Sequence, residues 1–306
     1  MVNIPRLSII IIAMMVFGNV GMLHSQHTDV ILDVNSGKLH YQIYGEGSPI
    51  LIINGGPGMN SEGFKPLAEE LSKTNSVILY DQRGTGLSTL HDINSETITI
   101  NAMAEDIEVL RCHLNINQWT VLGHSFGGML AYCYTAKYPE HVTALIQSSS
   151  GGLDLTIIEH LDIRGSLSQT QRDSLDYYTL KISNGDTSYA TAYNRGKFLA
   201  PAYVYSSTYI PIVAKRLTQG NRAINSLVWQ DLRRIEFSTA SFFKTFKKPV
   251  LILHGKDDVV GLSIPEHAHN LIPNSELVIL ENCKHYGWLD AKTAYFNAIN
   301  TFTKNL

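Results

Sequence analysis

Residues 121–128 read Val-Leu-Gly-His-Ser-Phe-Gly-Gly and contain the pattern G-x-S-x-G centred on Ser125. A strand-like apolar run precedes this pattern, and a helix-like run, Gly127–Tyr138, follows it. This pattern exposes a serine nucleophile when it forms a tight turn between a strand and a helix. Gly123 and Gly127 allow the sharp turn and the close approach of neighbouring backbone. The stretch therefore predicts Ser125 as a nucleophile at the carboxyl edge of a sheet.

Outward from this turn, short apolar runs typical of strands alternate with helix-like runs. An opening hairpin is predicted for Asp29–Val34 and Lys38–Tyr44, around a turn at 35–37. Six further strand-like runs follow along the chain: Ile50–Asn54, Val77–Tyr80, Trp119–Gly123, Val142–Ser148, Pro249–His254 and Glu276–Leu280. Continuous apolar strands separated by helices predict an α/β fold with a mostly parallel sheet covered on both faces.

The strand rhythm is interrupted after the glycines at 151 and 152. Residues from Leu153 to about Phe246 contain helix-like stretches, namely Gln169–Ile182, Ser188–Leu199 and Ala223–Ile235. The simplest division is a leader at 1–25, one catalytic core formed by 26–152 and 246–306, and a helical cap inserted at 153–245.

The N-terminus has the pattern of a secretory signal peptide. Arg6 precedes an apolar run, Leu7–Phe17, and small and polar residues follow as far as Ser25. A membrane-spanning helix needs roughly 20 apolar residues, and Asn19 interrupts this run. We therefore expect export to the periplasm or the extracellular space, with an uncleaved N-terminal anchor as the alternative. No stable membrane contact is expected after removal of the leader.

Composition and charge point to a globular enzyme with a small partner. The chain has 306 residues, of which 44% are hydrophobic and 17% charged, and its formal net charge is -3. Such a weak field does not favour nucleic acid or an anionic membrane surface. The partner expected is a small molecule or a short peptide, and the sequence carries no indication of oligomeric state. The 3 cysteines match neither a disulfide framework nor a zinc site, so no metal or cofactor is implied.

A serine hydroxyl needs a base to become a nucleophile, and in this strand-turn-helix setting the acid and then a histidine follow the serine along the chain. Residues 254–258 read His-Gly-Lys-Asp-Asp after one apolar strand, and residues 283–287 read Cys-Lys-His-Tyr-Gly after the next. His285 is therefore the predicted base. Its orienting acid is Asp257 or Asp258.

A glycine-rich loop follows the strand-like run that begins at Ile50. Residues 54–58 read Asn-Gly-Gly-Pro-Gly, which permits close backbone approach. At this position the loop predicts an N–H donor to an oxyanion, from Gly56, with the N–H of Phe126 as the second donor. The alternative is an ordinary glycine-rich turn.

Together these motifs resemble the prolyl aminopeptidase (proline iminopeptidase) branch of the α/β-hydrolases. That branch carries an H-G-G-P-G loop, a D-Q-R-G-x-G-x-S motif, a G-x-S-x-G-G elbow, a G-x-x-D acid and a late histidine. The corresponding positions here are 54–58, 81–88, 123–128, 255–258 and His285. The resemblance implies an α/β-hydrolase fold with a cap, and its G-x-x-D spacing selects Asp258 as the acid. It also implies a serine peptidase that releases N-terminal residues from short peptides through Ser125, Asp258 and His285.

Two positions depart from the family pattern. Asn54 stands where the loop usually has histidine, and Trp229 is followed by Gln230 and Asp231, where the family has a Trp-Glu pair that binds the substrate's amino group. The resemblance implies cap carboxylates for that group, with Asp231 as the first candidate and Glu159 and Glu236 as the others. One alternative is an ester, lactone or other small-acyl hydrolase with the same triad. Another is a non-enzymatic binding protein, against which the intact triad argues.

Overall fold

The computed structural model describes residues 27–306, so the predicted leader lies outside the described residues. The strands are β1 to β9 in chain order: His27–Val34, Gly37–Tyr44, Ser48–Ile53, Asn75–Tyr80, Thr89–Leu90, Trp119–His124, Val142–Ser148, Val250–Gly255 and Ser275–Leu280. The helices are α1 to α12: Lys65–Leu71, Ile100–His113, Phe126–Lys137, Ile157–His160, Gln169–Ser183, Tyr189–Leu199, Ile210–Leu217, Arg222–Arg234, Ala240–Phe243, Ser263–Leu271, Gly287–Asp290 and Lys292–Lys304.

The strands form a single sheet in the order β1-β2-β4-β3-β6-β7-β8-β9, with the short β5 paired to β2. β1 and β2 make the expected antiparallel hairpin, and β3, β4 and β6 to β9 pair in parallel. The prediction of a mostly parallel sheet with helices is therefore confirmed. The parallel strands bring their carboxyl ends to one edge, which is where open α/β sheets place their ligands.

The core is divided into two layers by the sheet. Leu51, Ile53 and Val121 belong to the cluster on one face, whereas Ile52 and Leu122 belong to the cluster on the other. Successive side chains of a strand point to opposite faces, so a strand buried on both sides must be apolar throughout. The continuous apolar runs of β3 and β6 follow from this requirement.

Between β7 and β8 the chain forms the helices α4 to α9. Three of them, α5, α6 and α8, begin with a side-chain cap. The Ser168 hydroxyl accepts from the N–H of Gln171 while Ser168 donates its own N–H to the Gln171 side chain, a capping box that begins α5. The side chain of Asn221 accepts from the N–H groups of Ala223 and Ile224 at the start of α8. Within residues 27–306, no helix combines the length and apolar character needed to cross a membrane.

Candidate active site

Ser125 lies at the turn between β6 and α3 with an unusual backbone conformation. Its φ is 56° and its ψ is -123°, a region that L-residues seldom adopt. The carbonyl of Ser125 accepts from the N–H groups of Gly128 and Gly151, both at 2.9 Å, and its own N–H donates to the carbonyl of Ser148 at 3.1 Å. These three bonds fix the turn from both sides, and Ser125 remains partly exposed.

The two motif glycines are required by close backbone packing. A Cβ on Gly123 would lie 2.4 Å from the carbonyl oxygen of Gly127, and a Cβ on Gly127 would lie 2.2 Å from that of Ile53. Real Cβ atoms do not approach backbone oxygens so closely, so any larger residue would push α3 away from β3 and β6. The pattern G-x-S-x-G is thus dictated at this turn by packing as well as by chemistry.

Asp258 and His285 form a buried acid-imidazole pair at the carboxyl ends of β8 and β9. His285 Nδ1 lies 2.8 Å from one carboxylate oxygen of Asp258 and 3.1 Å from the other. The Asp258 side chain has no exposed surface. Burial raises its pKa, but the charge and hydrogen bond of His285 lower it more, together with His254 and the N–H of Val260, and the pKa is about 2. Asp258 is therefore ionised at neutral pH.

The competing acid, Asp257, does not reach the imidazole in this way. Its side chain is exposed, and its backbone N–H donates to the carbonyl of Cys283 at 3.0 Å. The structure thus brings Asp258, and not Asp257, to His285.

His285 is held in place by backbone bonds from two different parts of the fold. His124 Nε2 bonds to the carbonyl of His285 at 2.9 Å, and the N–H of His285 donates to the carbonyl of Tyr203 at 3.0 Å. The His285 ring lies 4.6 Å from the ring of His124 and 5.5 Å from that of Tyr203. The histidine loop therefore packs directly beside the residue preceding Ser125. Within residues 27–306, Ser125 Oγ forms no hydrogen bond with the imidazole.

His124, the residue before Ser125, connects two loops of the candidate site. Its side chain is buried and stacks on Tyr286 at 5.3 Å. Burial, with the nearby charge of His285, lowers its pKa well below the usual value. A neutral His124 donates from Nε2 to the His285 carbonyl, so it joins the elbow to the histidine loop. The contact spans 161 residues of sequence, and no sequence pattern reveals it.

The glycine-rich loop passes against Ser125. A Cβ on Gly55 would lie 2.6 Å from Ser125 Cβ, and Gly56 has a φ of 71°, which favours glycine. Phe126 is the first residue of α3, so its N–H has no acceptor within the helix. The loop and the helix start therefore converge on Ser125, and Gly56 and Phe126 remain the predicted oxyanion donors.

The Asp231 carboxylate is bonded to two other groups of the protein. One carboxylate oxygen accepts the N–H of Ile100 at 2.9 Å, and the other pairs with Arg234 at 2.5 Å. Ile100 is the first residue of α2, where free N–H groups and the helix dipole attract a carboxylate. Both oxygens of the Asp231 carboxylate are therefore already bonded, and its role as a ligand of a substrate amino group stays a prediction.

The other two cap acids are solvated. Glu159 is exposed on the short helix α4. Glu236 is exposed beside a cleft lined by Cys133 and Lys137, near the end of α3 away from Ser125. The structure therefore does not bring the three predicted amine-binding carboxylates together.

Comparison with known proteins identifies the family. A family model described as alpha/beta hydrolase fold matches residues 48–292. The chain belongs to this family. The α/β-hydrolase match covers most of the chain, including β3, the elbow, the cap and both late loops.

Individual relatives confirm the resemblance seen in the motifs. A proline iminopeptidase of Lactobacillus acidophilus is 27% identical over 279 residues, which is 84% of this chain and 92% of that protein. Among solved structures, an alpha/beta fold family hydrolase from Bacillus anthracis has a TM-score of 0.76 at 22% identity, covering 90% of this chain and 99% of its own. An esterase from Exiguobacterium antarcticum has a TM-score of 0.70 at 20% identity, with coverages of 90% and 98%. At these identities the structural matches establish the fold alone.

Proposed function

We propose that this α/β-hydrolase is a serine hydrolase that works through an acyl-enzyme. The observation that carries the proposal is the buried, ionised Asp258 bonded to His285 Nδ1 at 2.8 Å, in a loop packed beside the elbow that presents Ser125. Hydrogen-bonding Nδ1–H to a carboxylate leaves Nε2 free to accept a proton.

In the proposed reaction, Ser125 Oγ attacks the substrate's carbonyl carbon while His285 Nε2 takes the hydroxyl proton. The N–H groups of Gly56 and Phe126 bind the oxyanion of the tetrahedral intermediate. His285 then gives the proton to the leaving group, and the acyl-enzyme forms. Water, deprotonated by His285, attacks the carbonyl carbon of the acyl-enzyme. His285 then returns this proton to Ser125 Oγ as the carbon–oxygen bond to the serine breaks and the acid product leaves. The hydrogen bond between Ser125 and His285 is expected to close when substrate binds, as such bonds tighten in the productive complex.

For the substrate we propose the N-terminal residue of a short peptide, proline above all. The support is the set of proline iminopeptidase relatives, which align over nearly the whole described chain. An aminopeptidase of this kind must also pair the substrate's ammonium group, because a buried cation without a partner costs several kcal/mol.

The second candidate is hydrolysis of a carboxylester or another small acyl compound. A specific observation favours it: the Asp231 carboxylate already accepts the N–H of Ile100 at the start of α2, and Glu159 and Glu236 are exposed. A neutral ester needs no carboxylate partner, so the same triad serves it without these residues.

A panel of aminoacyl-arylamides tested beside simple aryl esters distinguishes the two. The peptidase proposal expects prolyl-arylamide to have the highest kcat/KM and N-acetylated prolyl-arylamide to be inert. Efficient ester hydrolysis with no arylamide turnover would move the assignment to the ester. Failure of a fluorophosphonate probe to label the wild-type protein would remove the enzymatic proposal altogether.

We also propose that the enzyme is exported, on the basis of Arg6, the apolar run Leu7–Phe17 and the small residues before Ser25. Expression of the full chain in a bacterial host, followed by cell fractionation and N-terminal sequencing, tests this. A periplasmic or secreted product beginning near residue 26 is expected. A cytoplasmic product that keeps Met1 would contradict it.

A further inference from the structure

Every backbone carbonyl of the loop 54–58 is held by a hydrogen bond. Two of the donors belong to the core: the side chain of Gln82 bonds to the Asn54 oxygen at 2.7 Å, and the N–H of Met59 bonds to the Gly56 oxygen at 2.9 Å. The remaining three carbonyls accept from the cap: from Arg216 at Gly55 (2.8 Å), Asn225 at Pro57 (3.0 Å) and the N–H of Asn221 at Gly58 (2.8 Å). The Gly55 oxygen also accepts a longer bond from the Asn54 side chain, at 3.1 Å. The cap therefore fixes the conformation of a loop that belongs to the catalytic core.

Arg216 is the most costly of these cap contacts. It lies on α7 and is 4% exposed. Its Nη2 donates to the Gly55 carbonyl, its Nη1 donates to the Asn60 carbonyl at 3.2 Å, and its guanidinium lies 4.6 Å from the centre of the Phe64 ring. Among residues 27–306 it has no carboxylate partner within 4.0 Å. A buried cation without a counter-ion is expensive, so simple packing would be served better by an apolar residue.

The hydrogen bond from Arg216 to the Gly55 carbonyl orients the peptide unit that contains the N–H of Gly56, the predicted oxyanion donor. The carbonyl of Gly55 and the N–H of Gly56 belong to one planar trans peptide, in which the C=O and N–H point in opposite directions. A donor that fixes the Gly55 oxygen on the Arg216 side therefore fixes the Gly56 N–H on the other side. Gly55 itself packs against Ser125, since its added Cβ would be 2.6 Å from Ser125 Cβ.

We propose that Arg216 is a positioning residue that aims the Gly56 N–H at the oxyanion, with Asn225 assisting from α8. The oxyanion donor is then set by the cap, and a cap displaced from the core leaves the donor unaimed. This inference rests on the proposed acyl-enzyme function and assigns part of its transition-state stabilisation to the cap.

The test compares Arg216→Met with wild type, using the best substrate of the panel above. Removal of an oxyanion donor lowers kcat roughly 100- to 1,000-fold. A donor that is present but misaimed should have a smaller effect and lower kcat by about 10- to 100-fold. We expect KM to change little, because the ground-state carbonyl gains less from the donor than the oxyanion does. Binding of a trifluoromethyl ketone, which forms a tetrahedral adduct with the serine, should weaken by the same factor as kcat.

The matched control is Lys215→Met, which removes a cation from the adjacent, 63% exposed position on the same helix. It should leave kcat and ketone binding unchanged. Arg216→Lys keeps a donor and should recover part of the kcat. Asn225→Ala, which keeps Arg216, should lower kcat in the same direction by a smaller factor, and it carries the test if Arg216→Met does not fold.

Two outcomes would overturn the inference while the proposed function stands. One is a normal kcat in folded Arg216→Met, with wild type active and Ser125→Ala inactive. The other is a reduced kcat with unchanged ketone affinity, because the defect would then lie outside the oxyanion site. If wild type itself neither turns over the panel nor reacts with a fluorophosphonate, the failure belongs to the proposed function instead.

Discussion

Replacing Asp258 by asparagine removes the negative charge beside the buried side of the His285 imidazole. It also puts a hydrogen-bond donor, the amide NH₂, in place of a carboxylate oxygen. In the wild type, His285 Nδ1–H donates to a carboxylate oxygen at 2.8 Å. An asparagine amide can present its NH₂ to Nδ1 instead, which places the imidazole proton on Nε2. That nitrogen could then no longer accept the proton of Ser125. The substitution is nearly isosteric, so the fold should survive.

The magnitude follows from the state of Asp258. Its pKa of about 2, against a usual 3.8, corresponds to a preference of about 2 kcal/mol for the ionised over the neutral side chain inside the fold. The variant loses this interaction and also holds the wrong tautomer. The combined effect expected on kcat is roughly 1,000- to 10,000-fold, or about 4 to 5.5 kcal/mol in the barrier. Because the pKa is lowered on folding, the stability contributed by Asp258 is present above about pH 4 and is lost as the pH falls towards 2.

The assay is steady-state turnover of the best arylamide or aryl ester at neutral pH, with Asp257→Asn as the control. The control removes an exposed charge of the same loop and should keep kcat within a few-fold of wild type. Urea unfolding at pH 6 and pH 3 should show a pH-dependent loss in wild type that is smaller in Asp258→Asn. Near-normal turnover by Asp258→Asn, or a severe loss in Asp257→Asn alone, would refute the assignment of the acid.

Three further results are expected. Ser125→Ala should lower kcat by about 1,000-fold or more and abolish fluorophosphonate labelling; substantial activity in a preparation free of wild type would exclude it as the nucleophile. Arg83→Met should reduce the free energy of unfolding by about 3 to 5 kcal/mol in a denaturant titration, because it leaves the buried Asp106 carboxylate without its two-point partner at 2.6 and 2.7 Å; a loss below about 1 kcal/mol would contradict the pairing. With iodoacetamide at pH 8, the exposed Cys112 should react first in the native protein, whereas the two buried thiols, whose pKa values burial raises, should react only after unfolding; mass spectrometry of the native protein showing all three modified would disprove this.

The sheet could be predicted from the sequence because its signal is local. Apolar runs of four to seven residues bounded by turn residues marked the central strands, and the helix expected at Gln169–Ile182 is found at Gln169–Ser183. Elements with a weak local sequence pattern could be predicted less well. Between β3 and β4, for example, the chain forms a single 3₁₀ turn, Glu62–Phe64, followed by the short helix α1. The two-residue strand β5 was not anticipated, since its pairing with β2 depends on the neighbouring strand and not on its own residues.

The residues of the candidate site also differ in whether the sequence could locate them. The turn at Ser125 and the loops of Asp258 and His285 could be located because each follows a recognisable strand. Asp231 could not be placed from sequence, since its partner, the N–H of Ile100, is 131 residues away. The same holds for Arg216, whose contact with Gly55 spans 161 residues. Such side chains find their partners only through the packing of the cap on the core, which a motif does not encode.

The backbone of Ser125 sets stability against activity at a single residue. A non-glycine residue at φ 56° and ψ -123° stores about 1 to 3 kcal/mol of strain, which glycine at the same position would largely avoid. Ser125→Gly should therefore raise the melting temperature while removing the hydroxyl. Selection for stability alone would favour glycine at this position. The serine found there therefore indicates selection for its hydroxyl group.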